Sequence, residues 1–132
     1  MDRIEDSSKS NSISWTFNLG GIPTLIMFYE YQGEYFFWIQ GILAKLDNRN
    51  ALQVTKHLLH NNFEFHHPIK FSLDPDKQAI VLMMRSCLEW LTEDHINYRL
   101  DTFGKLALEA QESLKRDFGL RSFLDSWFSL PK

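Results

Sequence analysis

Two glycine-bearing pairs, Gly20-Gly21 and Gln32-Gly33, stand between runs of apolar residues and constrain the fold more than any other feature of the chain. Before the first pair, Trp15, Phe17 and Leu19 alternate with Ser14, Thr16 and Asn18, which is the period of a half-buried strand. Residues 24–31 and 35–42 continue in aromatic-rich runs suited to strands. Glycine tolerates the positive φ that two-residue hairpin loops require. The spacing therefore predicts a meander of three strands beginning near Ile13.

Such loops also set register, and a slip of one residue would exchange the two faces. With Gln32-Gly33 as the loop, Phe28 stands opposite Phe37 and Ile26 opposite Ile39, while Tyr29 faces Phe36 and Met27 faces Trp38. With Gly20-Gly21 as the loop, Phe17 stands opposite Thr24 and Trp15 opposite Ile26. The apolar residues of the first strand thus join the side of Phe28, Phe37 and Ile39, which is the expected core face. The second face receives Thr16 and Asn18, followed by Met27, Tyr29, Tyr31, Phe36 and Trp38. Tyr and Trp combine apolar area with a polar handle, so Met27, Tyr29, Tyr31, Phe36 and Trp38 are the expected partner-binding residues of the sheet.

Asp47 is placed to cap a helix over residues 48–61, with Ala51, Val54 and Leu58 on one stripe, joined by Thr55 or Asn62. Next, Ile69, Phe71 and Leu73 alternate with Lys70, Ser72 and Asp74, and Asp74-Pro75-Asp76-Lys77 forms a turn with proline at its second position. Residues 79–86 are apolar on both faces, as in an interior strand. Thr92, Glu93 and Asp94 open a long helix whose stripe is Ile96, Leu100, Phe103, Ala107, Ala110 and Leu114, and Gly119 closes it with a left-handed cap. Gly104 inside this helix calls for close packing or a kink.

The expected fold class is α+β, an antiparallel sheet of about five strands in the order β-β-β-α-β-β-α with an extra C-terminal amphipathic helix. Residues 1–13 are expected to be a disordered N-terminal tail, residues 14–119 a single α+β domain, and residues 120–132 a C-terminal amphipathic segment. In that segment Leu120, Phe123, Leu124, Trp127 and Phe128 follow helical spacing. Phe123 and Trp127 join the partner-binding set, with two destinations open: the aromatic sheet face of the same chain, or another subunit or partner.

Composition narrows the function. A chain of 132 residues has room for one domain, and its eleven Phe and 44% hydrophobic content argue against disorder. Net charge is -3, which provides no field for a phosphate backbone, so no nucleic acid is expected. The lone Cys87 excludes an internal disulfide and fits a reducing, cytoplasmic compartment. The longest apolar run, residues 79–84, is far short of a bilayer span, and residues 1–12 carry neither a signal peptide nor an anchor, so no membrane is expected.

His57 and His60 lie one helical turn apart, with His66 and His67 beyond, but no carboxylate or thiol nearby completes a recognisable metal set. Asp74 and Asp76 are explained by their turn, Asp117-Phe118-Gly119 by a helix end, and Cys87 has no evident activating base. No Gly-x-Ser-x-Gly, phosphate loop or dinucleotide fingerprint is present. The expectation is a non-enzymatic protein without metal or cofactor.

Three stretches carry a family resemblance: the helix Ala51-Leu52-Gln53-Val54-Thr55-Lys56-His57-Leu58-Leu59 ending in Asn61-Asn62-Phe63, then Lys70-Phe71-Ser72-Leu73-Asp74-Pro75-Asp76, then Ala79-Ile80-Val81-Leu82. With the order of elements, they make residues 14–118 resemble the class I type III secretion chaperones, which include the Tir chaperone, and the related YbjN-like domains. The resemblance implies a small cytoplasmic bacterial homodimer that holds an extended segment of a client or effector protein, with no cofactor. Two features depart from it. Class I chaperones begin with an amphipathic helix, for which residues 1–12 have no stripe, and residues 120–130 are additional. The alternatives are a YbjN-like regulatory or immunity-type domain with a folded partner, and an enzyme or metal protein using His57, His60 and a carboxylate.

Overall fold

Both glycine pairs close two-residue hairpin loops in the computed structural model, which describes residues 2–6, 12–64 and 68–122. Gly20 and Gly21 have φ of 56° and 93°, and Gln32 and Gly33 have 52° and 82°, the two positive values that match the twist of the flanking strands. Strands β2 (Ser12–Leu19), β3 (Ile22–Tyr31) and β4 (Glu34–Lys45) form the expected meander. Its register pairs Trp15 with Ile26, Phe17 with Thr24, Phe28 with Phe37 and Met27 with Trp38, as the loop lengths require.

Helix α1 (Ala51–Glu64), the hairpin β5 (Ile69–Asp74) and β6 (Ala79–Cys87), a single 3₁₀ turn at Leu88–Trp90 and helix α2 (Glu93–Phe118) follow. The chain is therefore an α+β fold with the element order β-β-β-α-β-β-α. One strand precedes that series: β1 (Asp2–Asp6) pairs antiparallel with β2, placing Asp2 opposite Thr16 and Ile4 opposite Ser14. The expected disordered tail over residues 1–13 is corrected over these five residues and over Ser12 and Ile13, which open β2. An edge strand is held by backbone hydrogen bonds to its neighbour, which need no apolar alternation in its own sequence. Among the described residues the sheet has six strands in the order β1-β2-β3-β4-β6-β5.

That order puts β6 between β4 and β5, and its apolar composition follows: Ile80 and Leu82 are buried on one side and Val81 on the other. Both helices contribute to one core on the face of Phe37, Ile39, Leu43, Ile80, Leu82 and Met84, through Val54 and Leu58 of α1 and Phe103, Ala107 and Leu114 of α2. Gly41 lies under α2: a Cβ there would stand 3.0 Å from Ile22 Cγ2 and 3.5 Å from the Phe103 ring. The ladder between β4 and β6 shifts register between Ile42 and Ala44, and the Leu43 carbonyl is satisfied by Gln111 Nε2 at 3.0 Å.

The ends of α2 behave as its sequence requires. Thr92 Oγ1 accepts from the His95 amide at 3.2 Å, and Gly119 adopts a left-handed C-cap with φ 66°. Helix α1 begins at Ala51, three residues later than expected, because Asp47 is engaged elsewhere. Its carboxylate accepts from the Arg49 amide and guanidinium, building the turn that precedes the helix. Asn50 then ties the two helices together, its Nδ2 donating to the Phe118 carbonyl at 3.0 Å.

Candidate functional site

Because successive residues of a strand point to opposite faces, burying Phe28, Phe37 and Ile39 under the helices turns Met27, Tyr29, Phe36 and Trp38 to the other face. These four are half-buried and adjacent. The Tyr29 and Phe36 rings stack with centroids 5.5 Å apart and 22° between their planes. Trp38 donates its indole N–H to Gln40 Oε1 at 3.0 Å, and the Arg85 guanidinium of β6 stands 5.8 Å from its ring centroid. Tyr31, at the hairpin tip, is 60% exposed. The structure therefore gathers the five expected sheet residues on one face. Phe123 and Trp127 lie outside the described residues.

Sequence reasoning missed Arg85, which reaches the Trp38 ring only because β6 inserts beside β4. Near the same hairpin tip, the Tyr35 phenol is held above its ordinary value by its hydrogen bond to Glu30 and by the charge of that carboxylate. The two margins of the sheet differ. On β5, Asn62 of α1 meets the strand backbone as another strand would: Phe71 N donates to Asn62 Oδ1 at 2.7 Å, and Asn62 Nδ2 donates to Phe71 O at 3.0 Å. This pairing covers part of the β5 edge. On the other margin, β1 is the edge strand.

A second apolar surface lies on the helical side. Trp15 and Phe28 meet edge to face at 5.7 Å, and beside them a groove of about 780 Å³ opens between the sheet and the first half of α2. Phe17, Leu19 and Ile26 line it from the sheet, and Leu100, Gly104 and Leu108 from the helix. Leu108 is 44% exposed and Tyr98, at the groove's far end, 66%. The available signal was that both fall outside the apolar stripe of α2.

His57 and His60 have local partners. Asn61 Nδ2 lies 3.0 Å from His57 Nε2, the His57 ring packs edge-on against Phe118 at 5.1 Å, and His60 Nε2 is 3.2 Å from Glu64 Oε1. Among the described residues no group of three His, Cys, Asp or Glu comes together to hold a metal ion. His66 and His67 lie outside the described residues. Cys87 is half-buried at the end of β6, opposite Phe36. Among the described residues no helix is long and apolar enough to cross a membrane.

Among the described residues these features define a small α+β domain with two helices on one face of an antiparallel sheet and an aromatic cluster on the other. No family model matches the chain, and no curated protein matches it.

Proposed function

We propose that this chain is a non-enzymatic protein-binding domain of the chaperone or adaptor kind, and that it holds an apolar, extended segment of a client protein. The observation that carries this reading is the stacked Tyr29–Phe36 pair beside Met27 and Trp38, on the sheet face opposite both helices. Aromatic side chains offer large contact areas at low entropic cost, and Trp, Tyr and Arg are the residues that most often dominate binding energy. Arg85 and the tip residue Tyr31 supply polar contacts at the margin. The resemblance to type III secretion chaperones points the same way, toward a cytoplasmic homodimer whose action is physical and needs no cofactor.

The test is recovery of the intact protein from its own host under gentle conditions, with its native mass and bound proteins measured. Wild type is expected to carry a client that Tyr29→Ser and Trp38→Ser lose, while Lys105→Ala on the exposed side of α2 retains it. Recovery of the bare chain, or equal retention of the client by all three variants, would sink the proposal.

A further inference from the structure

The groove between α2 and the sheet is a second apolar surface, and the described chain ends beside it. Gly119 turns the chain out of α2, and Leu120 is buried in the core. The Lys45 amide donates to the Arg121 carbonyl at 3.4 Å, which holds the backbone near the end of β4. Ser122 then shares a depression with Gly20, Gly21, Gln111 and Lys115. Gln111 lies one helical turn beyond Leu108, and Leu108 itself packs against the Gly20 turn, where an added Cβ would come within 2.8 Å of its Cδ2. Ser122 is therefore at the mouth of the groove, on the helical side of the sheet.

Residues 123–132 remain. At helical spacing Phe123, Leu124, Trp127 and Phe128 would share one side, with Asp125 and Ser126 on the other. From Leu108 to Leu100 the axis of α2 rises about 12 Å, and ten helical residues span about 15 Å. The segment thus has the length and the apolar stripe to fill the groove. Reaching the Tyr29 and Trp38 face would require the chain to pass around the end of the sheet.

We propose that residues 123–130 dock in cis in this groove, running back along α2 with Phe123 and Leu124 near Leu108 and with Trp127 and Phe128 against Leu19 and Phe17. The segment completes the helical layer and leaves the opposite, aromatic face free. This inference concerns a different surface from the proposed function and fails or holds separately from it.

The experiment uses the full chain with Cys87→Ser and a pair of introduced cysteines, Leu108→Cys with Phe123→Cys. Tyr29→Cys with Phe123→Cys reports on the other face. Under mild oxidation the first pair is expected to form an intrachain disulfide faster than the second, on the order of tenfold, because docking raises its effective concentration. A disulfide between chains would overturn the proposal and assign the segment to a second copy. Equal rates, a faster second pair, or no disulfide in either would also overturn it. A cysteine-free measurement guards against a destabilised variant: Trp127→Asp with Phe128→Asp should accelerate amide exchange over residues 100–108 at unchanged native mass. Unchanged exchange there would overturn the proposal as well.

Discussion

Adjacent residues of β4 offer the sharpest test of which sheet face is core. Phe37 is fully buried and packs against Phe28 at 5.3 Å, whereas its neighbour Phe36 is half-buried on the opposite face and stacks on Tyr29. Phe37→Ala removes a ring from a close-packed core and leaves a cavity, at a cost of about 3–5 kcal/mol. Phe36→Ala loses partial burial and one aromatic pair, a cost of about 1–2 kcal/mol. The same chemical change one residue apart should therefore differ by roughly 2–3 kcal/mol, a large share of the stability of a typical domain at about 5–15 kcal/mol. Urea unfolding followed by far-ultraviolet circular dichroism measures both. With a denaturant slope of about 1–3 kcal/mol/M, the Phe37→Ala midpoint should lie about 0.7–3 M below that of Phe36→Ala, with slopes unchanged. Equal midpoints would refute the assignment of faces, and with it the availability of Phe36 and Tyr29 for a partner.

Two glycines in regular elements should respond with opposite signs. A Cβ at Gly104 would meet Leu19 Cδ2 at an ordinary 3.7 Å, so Gly104→Ala should stabilise by about 0.5–1 kcal/mol through helix propensity. At Gly41 the Cβ would press on Ile22 Cγ2 at 3.0 Å, and the fully buried Ile22 and Phe103 leave little room to yield, so Gly41→Ala should destabilise by about 1–3 kcal/mol. Thermal unfolding of the pair checks both signs. The Asp47 carboxyl is lowered from 3.8 to about 2, chiefly by the Arg49 side chain and then by the Arg49 amide. A depressed pKa contributes stability above the unfolded value and loses it as pH falls through the folded one, here between about pH 4 and about pH 2. In a carboxyl-detected NMR titration, Arg49→Ala should move the Asp47 midpoint toward 3.8 but short of it, since the residue 49 amide still donates. An unmoved midpoint would discard the guanidinium as the cause.

Local chemistry made much of this fold legible. Alternation along β2 and the two-residue loops at Gly20-Gly21 and Gln32-Gly33 are short-range features, and together they decide which side chains share a face. The same holds for the Thr92 cap, the apolar stripe of α2 and the Gly119 terminator, each of which acts within a turn of helix. The aromatic surface of Met27, Tyr29, Tyr31, Phe36 and Trp38 followed from that register. The start of α1 was misplaced because a carboxylate that can cap a helix can equally build the turn before it, and Arg49 decides which.

What sequence alone determined, then, was the register of the meander and the limits of α2, because the interactions responsible join residues a few positions apart. Tertiary structure decided the pairing of β1 on β2, the insertion of β6 between β4 and β5, the approach of Arg85 to Trp38, and the groove left where α2 crosses β2. Each of these depends on surfaces brought together from distant parts of the chain. Backbone edges, helix crossings and uncovered apolar area have no period of their own to read.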